Sequence, residues 1–399
     1  MSLLDDARGH QDDLVRLRRE LHREPELGLA LPKTQERVLV VLDGLGLSIT
    51  TGAGLGSVVA VLRGGGATGR SVLLRADMDA LPITEKTGLD FAAAEPVMHA
   101  CGHDLHTAML VGAARLLARR AGSLRGDVTF MFQPGEEGYD GARLMIDEGV
   151  LEAAGTLPEA AFALHVTASM FPTGTVATRP GPFMAAADVL HVQLRGTGGH
   201  ASAPHSAQDP ISVAAEVVTA LQTMVTRQFD VFDPVVVTVG SFHAGTQHNI
   251  IPDHADFEAT VRSFSTSSQR RVRDRSVALC RGIAEAHGLT AAVEWETLYP
   301  VTVNDDDRAE FVQRVTRELL GAGHVTTMAT PMAGSEDFSR VLERVPGAMA
   351  FLGATPQGAD PACVPFNHSA YAVFDESVLS AGAALYAQLA ISHLETTTA

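Results

Sequence analysis

Residues 71–82 read Ser-Val-Leu-Leu-Arg-Ala-Asp-Met-Asp-Ala-Leu-Pro, an apolar run that passes directly into two aspartates. Glycines precede the run, and this punctuation together with its apolar side chains predicts a short strand. A continuous apolar run without alternation is typical of a strand that is covered on both faces of a parallel sheet. The stretch therefore predicts an α/β fold with polar groups at the carboxyl end of a strand, where ligand sites of open α/β sheets lie.

Similar runs recur along the first part of the chain. Residues 58–62, 128–132 and 161–166 are short and apolar, which predicts three more strands. Residues 105–120 are rich in Ala and Leu and are long enough for a helix. Strands that alternate with helices predict a mixed, mostly parallel sheet flanked by helices.

The pattern changes near residue 187. Predicted strands and helices then follow in the order β-α-β-β-α-β, at residues 189–194, 210–227, 235–242, 255–264, 268–287 and 291–298. This order is the split βαβ, or ferredoxin-like, arrangement. Because helix and apolar strand return after residue 300, we expect a discontinuous α/β domain, residues 1–186 and 299–399, with an α+β domain inserted at residues 187–298.

Composition limits the classes of function. The chain has 399 residues and a net charge of −17, which argues against nucleic-acid binding because phosphate contacts need clustered Lys and Arg. No apolar stretch approaches the length of about 18 residues that indicates a membrane span. The N-terminus lacks the basic and apolar segments of a secretory signal. Three widely spaced cysteines predict free thiols and a cytoplasmic location.

A metal-ligand pattern stands at residues 98–106, which read Met-His-Ala-Cys-Gly-His-Asp-Leu-His. In an extended segment Cys101 and His103 would point the same way and face one ion. Thiolate and imidazole suit zinc, nickel, cobalt or manganese better than calcium or magnesium. The alternative is a polar loop with an ordinary buried cysteine. His106 fits a helix cap or orienting group as well as a ligand, His99 a supporting or an exposed side chain, and Asp104 a carboxylate that orients a ligand.

Further polar residues follow other predicted strands. Asp77 and Asp79 share a face by the same spacing, although aspartates at strand ends are often only solvated. Residues 133–138 read Gln-Pro-Gly-Glu-Glu-Gly, and neighbouring glutamates on an extended chain would point apart. One would bind metal and the other would act as a general base, unless the segment is a charged turn. His165 and His368 are single histidines, and only the neighbouring clusters favour a ligand role for them.

Taken together, these segments resemble the M20 metallopeptidase family, most closely its amidohydrolase branch. That branch includes hippurate hydrolases, N-acyl-amino-acid amidohydrolases and auxin-conjugate hydrolases. The resemblance runs almost end to end, and the cysteine-histidine segment and the order of the motifs are specific to this branch. The motifs that carry it lie at residues 21–28, 75–82, 98–106, 133–138, 198–201, 249–253, 260–264, 334–338 and 368–369.

The resemblance implies a fold and a metal centre. The fold is a catalytic α/β domain that carries two divalent ions, with the inserted ferredoxin-like domain as lid and homodimerisation surface. The ions would be zinc, manganese, cobalt or nickel, and Asp79 corresponds to a carboxylate that orients a metal ligand. The implied ligands are too few for two sites unless one bridges or water completes the shells; they are Cys101, His103, Glu137, His165 and His368.

The implied reaction is hydrolysis of the amide bond of an N-acyl or N-aroyl amino acid, which releases a carboxylic acid and a free amino acid. Glu136 takes the proton of a metal-held water and returns it to the leaving amine. His200, from the partner subunit, would stabilise the oxyanion. Asn249 and Arg262 resemble the positions that bind the substrate carboxylate, although alone they are typical of a turn and of a strand surface.

Two alternatives remain beside this hypothesis. One is a dipeptidase or aminoacylase that uses the same residues on peptide-like substrates. The other is a non-catalytic binding protein on the same scaffold, against which the presence of every implied ligand and of Glu136 argues. The sequence departs from the family pattern near Gly28, Tyr139 and Ser369, which predicts an altered pocket and acyl preference without loss of a ligand.

Overall fold

The computed structural model of the protein describes residues 2–66 and 69–395. The chain divides into two compact units. Unit 1 comprises Met1–Phe183, Val303–Thr330 and Asp337–Ala399, and unit 2 comprises Met184–Thr302 and Pro331–Glu336. The insertion predicted at residues 187–298 lies inside unit 2.

The strands are short in unit 1 and reach ten residues in unit 2. In chain order they are β1 (Ser48–Thr51), β2 (Val58–Leu62), β3 (Ser71–Asp77), β4 (Asp127–Gln133), β5 (Ala160–Thr167), β6 (Val176–Thr178), β7 (Gly181–Met184), β8 (Ala186–Arg195), β9 (Gly199–His200), β10 (Val235–Ala244), β11 (Ile250–Ile251), β12 (His254–Ser263), β13 (Thr290–Tyr299), β14 (Thr302–Asn304), β15 (Val325–Thr327) and β16 (Gly347–Gly353).

The helices are interspersed with these strands along the chain. In chain order they are α1 (Leu3–Arg8), α2 (Gln11–Arg23), α3 (Pro32–Leu42), α4 (His103–Ala118), α5 (Gly141–Asp147), α6 (Pro210–Gln228), α7 (Thr266–Ala286), α8 (Asp306–Leu320), α9 (Ser339–Leu342) and α10 (Leu379–Glu395).

Unit 1 contains an eight-stranded mixed sheet in the order β1-β2-β4-β3-β5-β16-β6-β15. The central neighbours β4, β3, β5 and β16 run parallel, whereas β1, β2 and the β16–β6 pair add antiparallel neighbours. Helices α4, α8 and α10 pack directly on its strands. The predicted α/β fold, a mixed sheet flanked by helices, is thus confirmed. Strands β1, β6 and β15 escaped prediction because each has only three or four residues.

The central strands are buried along their whole length, as the uninterrupted apolar runs predicted. Within the described residues, one stretch, Glu376–Glu395, has the length and composition of a membrane span. However, 72% of its apolar window is buried inside the protein. Inside unit 1 the Tyr386 hydroxyl donates to the carbonyl of Arg75 at 2.6 Å and accepts from the Leu164 N–H at 2.7 Å. This stretch is therefore a core helix that ties β3 to β5.

Unit 2 contains a four-stranded antiparallel sheet in the order β10-β12-β8-β13, with α6 and α7 packed against it. The chain order β8-α6-β10-β12-α7-β13 is the predicted split βαβ arrangement. Along β8 the residues Leu190, Val192 and Leu194 are buried in a core with both helices, while the intervening residues are half-buried. This alternation is typical of a sheet with one covered face.

Candidate metal centre

Three parallel strands bring the predicted site residues of unit 1 to one edge of the sheet. In the register of β3 and β4, Asp77 pairs with Gln133, so the segment with the two glutamates begins beside the aspartates. Strand β5 is parallel to β3 on its other side and carries His165 near its carboxyl end. Helix α4 begins at His103, which the structure brings to the same edge. The expectation that strand ends collect polar groups is met.

The five implied ligands come together in unit 1. The Cys101 Sγ atom lies 3.4 Å from His165 Nε2 and 3.2 Å from His368 Nε2. The His368 Nε2 atom lies 3.2 Å from Glu137 Oε1. Two groups made only of these five residues have ligand atoms within 4.8 Å of one another, Cys101 with His103 and His165, and Cys101 with Glu137 and His368. Cys101 belongs to both, so its position allows one ligand to be shared between two ions.

The tautomers of two histidines suit metal binding. The His103 Nδ1 atom donates to the backbone carbonyl of Asp79 at 2.8 Å, and His165 Nδ1 donates to the carbonyl of Val166 at 2.8 Å. Because carbonyls only accept, each Nδ1 carries the proton and each Nε2 keeps a lone pair in the neutral ring. The His103 Nε2 atom is buried and has no hydrogen-bond partner among the described residues. This donor set fits divalent cations of the zinc, cobalt, nickel or manganese kind.

Cys101 and His103 reach the same space by a different route from the one predicted. The segment is not extended, because Gly102 adopts a left-handed conformation (φ 86°) and His103 already begins α4. A Cβ atom on Gly102 would lie 2.4 Å from Val166 Cγ2. Only glycine provides both this φ and this close approach.

The two glutamates also depart from the predicted geometry. They lie in a turn rather than on an extended chain, between Gly135 (φ 72°) and Gly138 (φ 87°). Consequently they do not point apart, and carboxylate oxygens of both Glu136 and Glu137 lie within 4.8 Å of a ring nitrogen of His103. Glu136 is only 6% exposed. The site thus combines a buried carboxylate with the ligand cluster.

Asp79 holds this turn in place. Its Oδ1 accepts the Glu136 N–H and its Oδ2 accepts the Glu137 N–H, both at 3.0 Å. Its backbone carbonyl holds His103, as described above. One residue therefore orients a ligand histidine and the backbone of both glutamates.

The other polar residues of the 98–106 segment are buried as well, and His106 has a ligand atom within 4.8 Å of those of Asp77 and His103. His106 donates from Nδ1 to Asp77 Oδ1 at 2.5 Å and accepts the Val166 N–H at Nε2, so both ring nitrogens are used. Burial lowers the pKa of His106 to about 4 despite the neighbouring aspartate. Asp104 is buried against Arg18 and His22, and His99 is buried beside them. Asp104 and His106 lie in the first turn of α4 and are held there by these side-chain contacts.

Electrostatics around Cys101 favour the thiolate. Burial alone would raise the pKa of the thiol, but His165 and His103 lower it well below its usual range. Burial likewise opposes the charged form of His103, yet Asp77 and Cys101 raise the pKa of that imidazole well above its usual value. Hydrogen bonds to Cys101 and Glu137 raise the pKa of His368 to about 10. The Cys101 thiolate and the neighbouring carboxylates thus favour a cation beside them, whether a proton on an imidazole or a metal ion.

Several residues that shape the site were not predicted. Asp337 accepts from Arg75 at 2.9 Å, from both Gln133 and the Ala142 N–H, and so braces β3, β4 and the start of α5. Asn367 is buried next to His368 and contacts the cysteine segment. For Asn367 a signal existed, since it adjoins a predicted ligand, whereas the 262-residue separation of Arg75 and Asp337 has no local signature.

The three residues predicted to touch substrate lie in unit 2. His200 on β9 is exposed, and its Nδ1 accepts from the Ser202 N–H at 3.1 Å. Asn249 lies beside it, because its carbonyl accepts the Ala201 N–H at 3.1 Å. Arg262 is half-buried near the far end of β12 and donates to Ser335 Oγ at 3.3 Å.

Unit 2 does not bring Arg262 together with the other two. Its β12 begins at His254, immediately after the β11 strand that pairs with His200. Arg262 lies eight positions further along the same strand (262 − 254), which is roughly 26 Å. No small ligand spans that distance within one copy of unit 2.

Residues 73–392 of the chain match peptidase family M20/M25/M40. The chain belongs to this family. It is 37% identical over 393 residues to thermostable carboxypeptidase 1 of Saccharolobus solfataricus, with coverage of 98% of this chain and 97% of the relative. It is 34% identical over 399 residues to the hippurate hydrolase of Campylobacter jejuni, with coverage of 99% and 100%.

A solved structure agrees with the whole fold of this M20 protein. It is the YXEP protein of Bacillus subtilis, described as a dinuclear metal-binding peptidase of family M20. The TM-score is 0.83 at 31% identity, with coverage of 98% of this chain and 100% of the other. The predicted family and its amidohydrolase branch are confirmed, and the M20 protein is a metal-dependent hydrolase that acts on amide bonds.

Proposed function

We propose that the protein hydrolyses the amide bond of N-acyl or N-aroyl amino acids and releases a carboxylic acid and a free amino acid. The observation that carries the proposal is the shared position of Cys101 in two ligand groups beside the buried Glu136. A hydrolase needs an activated water and a proton acceptor in one place. A purely structural metal site would need neither a shared ligand nor an adjacent buried glutamate.

We assign the metal ligands to Cys101, His103, Glu137, His165 and His368, for two divalent ions per subunit. Zinc, manganese, cobalt and nickel all suit this mixture of thiolate, imidazole and carboxylate. When bound, the two cations would lower the pKa of water and polarise the scissile carbonyl. We assign to Asp79 the role of orienting His103. The backbone carbonyl of Asp79 supports this role, because it accepts a hydrogen bond from His103 Nδ1.

Glu136 is the proposed general base. Its backbone is fixed by Asp79, and its carboxylate lies beside the ligand atoms of His103 and Glu137. From this position Glu136 accepts a proton from the attacking water and later delivers it to the leaving amine. Without that delivery the amine would have to leave as an unfavourable anion.

The free carboxylate of the substrate needs a cationic or amide partner, and we assign it to Arg262 and Asn249. His200 is the proposed donor to the oxyanion. Since Arg262 and the His200–Asn249 end of one unit 2 lie roughly 26 Å apart, a site that uses both draws them from two copies of the chain. The proposed homodimer therefore follows from the assignment of these residues.

The edge of the unit 2 sheet supports such a dimer. Among the described residues, strand β10 pairs with β12 and with no other strand, and it reads Val-Val-Val-Thr-Val-Gly-Ser-Phe-His-Ala, without Asp, Glu, Lys or Arg. Monomeric proteins usually protect a long edge strand with charges, proline or a covering loop. An uncharged ten-residue edge favours pairing with a second copy. The three free cysteines fit the proposed cytoplasmic location.

A second candidate function is removal of a C-terminal amino acid from a peptide. The relative named thermostable carboxypeptidase 1 matches at 37% identity over nearly the whole chain, which favours this candidate. Both functions cleave an amide next to a residue with a free carboxylate, so they differ only in the acyl side of the substrate.

The test is a substrate panel of hippurate, N-acetyl amino acids and unblocked dipeptides, assayed with wild type, Glu136→Gln and Glu310→Gln. Glu310 is an exposed glutamate of α8 and serves as the matched control. We expect hydrolysis of the acylated substrates, retained in Glu310→Gln and reduced by about 10²–10⁴-fold in Glu136→Gln. Faster cleavage of dipeptides would favour the second candidate, and equal rates in wild type and Glu136→Gln across the panel would exclude both.

A further inference from the structure

Asn367 contacts two segments that carry proposed ligands, the cysteine loop and the end of β5. Its side chain is buried, with 8% of the residue exposed. The Nδ2 amide donates to the carbonyl of Cys101 at 3.2 Å and to the carbonyl of Val166 at 3.0 Å. Its Oδ1 accepts the Ala168 N–H at 2.9 Å. One carboxamide thus ties the cysteine loop to the end of β5, where His165 lies.

The orientation of this carboxamide is fixed. A backbone N–H can only donate and a carbonyl can only accept, so Oδ1 must face Ala168 and Nδ2 must face the two carbonyls. In this orientation Nδ2 also lies 3.9 Å from Cys101 Sγ, within reach of a weak N–H···S hydrogen bond. Asn367 therefore acts both on the backbone of Cys101 and on its sulfur.

The next residue shows why such a brace is needed. His368 adopts a left-handed conformation (φ 68°), which a non-glycine residue keeps only when its surroundings hold it. Its N–H donates to the carbonyl of Ala100 at 2.9 Å, directly before the cysteine. Asn367 and His368 together make two cross-links to the 100–101 peptide segment, so the ligand His368 and the ligand Cys101 are held as one piece.

We propose that Asn367 is a positioning residue that fixes Cys101 between the two metal positions. Its N–H···S contact lowers the energy of the sulfur lone pairs. The proposal rests on the metal centre assigned under Proposed function. If two ions shared the thiolate, it would have to present lone pairs in two directions, so a small rotation of Cys101 would favour one ion over the other. Partners behind the ligands commonly change metal affinity by about 10–100-fold when removed.

The chain offers a matched control in Asn304, which is also buried in unit 1, at 1% exposure. Its Nδ2 donates to Thr178 and to the carbonyls of Arg179 and Met349, and its Oδ1 accepts the Met349 N–H. The hydrogen-bonding pattern is like that of Asn367, but none of these partners is a proposed ligand. Loss of the Asn304 amide should therefore destabilise the fold about as much as loss of the Asn367 amide. Only the loss at Asn367 should change the metal centre.

The experiment uses the full chain loaded with cobalt(II), whose thiolate gives a sulfur-to-metal charge-transfer band. For Asn367→Ala we expect the affinity for the weaker of the two ions to fall by about 10–100-fold. We also expect the band to move to longer wavelength, because loss of the N–H donor raises the energy of the sulfur lone pairs. Asn304→Ala should bind two ions with the wild-type band, even if its unfolding midpoint falls further.

Each outcome decides the question. Unchanged band and stoichiometry in Asn367→Ala, or equal changes in both variants, would overturn the positioning role. If Asn367→Ala does not fold, Asn367→Asp keeps the Oδ1 acceptor and the shape but removes the amide donor, and a wild-type band in that variant overturns the proposal. If wild type itself binds no cobalt, the proposed metal centre fails rather than the role of Asn367.

Discussion

The backbone carbonyl of Asp79 accepts a hydrogen bond from Nδ1 of His103 at 2.8 Å. The carboxylate of the same aspartate holds the N–H groups of Glu136 and Glu137 at 3.0 Å each. The proposed ligand histidine and the proposed base are therefore set by one residue, which lies two positions beyond the end of β3. Movement of Asp79 would disturb both at once.

Replacement of Asp79 by asparagine separates these two roles. The backbone carbonyl that orients His103 remains, whereas one of the two carboxylate acceptors becomes an NH2 group that repels a glutamate N–H. We expect kcat to fall by about 10–100-fold with metal content near wild type. The control is Asp127→Asn, since Asp127 also accepts a backbone N–H, that of Gly64, but lies at the opposite end of β4. Loss of both metal ions in Asp79→Asn would contradict this division of roles.

Removal of the shared ligand should have a larger effect than removal of any other cysteine. Cys101→Ala deletes a member of both ligand groups, so we expect fewer than two ions per subunit and no detectable hydrolysis. Cys280 is the control, because it is buried in the core of unit 2, and this burial raises the pKa of its thiol to about 12. Elemental analysis and hydrolysis rates decide the outcome. A Cys280→Ala variant that loses metal, or a Cys101→Ala variant that keeps two ions, would refute the assignment.

The acid side of the stability profile should depend on Glu85. Burial alone would raise the pKa of this carboxyl. Hydrogen bonds from His22, Thr87 and the Ala93 N–H outweigh that effect and lower the pKa from 4.5 to about 2. A carboxyl with a lowered folded-state pKa stabilises the fold above its unfolded pKa, and that contribution is lost as the pH falls from 4.5 towards 2.

We therefore expect Glu85→Gln to lower the free energy of unfolding at neutral pH by on the order of 2–3 kcal/mol. Urea unfolding of both proteins between neutral pH and about pH 3 measures the difference. The gap between wild type and variant should narrow as the pH falls through the window. A gap that stays constant down to that pH would show that Glu85 acts through packing instead.

Apolar runs predicted the central strands of the sheet, and the cysteine-histidine segment predicted a metal site, because such segments leave local signatures. The full set of five proposed ligands came from the resemblance to the M20 family, since single histidines such as His165 and His368 have no such signature. The geometry that joins them was beyond those patterns. Cys101 and His103 were expected on an extended chain, but the left-handed Gly102 and the start of α4 bring them together. Asn367 adjoins the predicted ligand His368, but its role was missed because its three bonds go to backbone groups about 200 and 266 residues away, and such backbone partners have no sequence signature.

Gly102 provides a direct test of that geometry. Gly102→Ala adds a Cβ atom 2.4 Å from Val166 Cγ2 at a φ of 86°, so it combines backbone strain with a clash. Gly149 has nearly the same φ, 88°, with no atom within 4 Å of an added Cβ, and isolates the strain. We expect Gly149→Ala to lower the free energy of unfolding by about 1–2 kcal/mol and Gly102→Ala by about 1–3 kcal/mol more, with weaker metal binding. Equal losses in the two variants would mean that Val166 moves aside freely.

The proposed use of two chains in one site predicts complementation between inactive variants. Arg262→Ala removes the proposed carboxylate partner and His200→Ala removes the proposed oxyanion donor, so each homodimer should be inactive. In a mixed dimer, one site receives an intact Arg262 from one chain and an intact His200 from the other, while the second site lacks both. We therefore expect co-expressed, differently tagged variants to yield a heterodimer with about half of the wild-type activity, because one of its two sites is complete. A heterodimer as inactive as its parents would place both residues in the same site from one chain, against the roughly 26 Å along β12 between Arg262 and the strand end near His200.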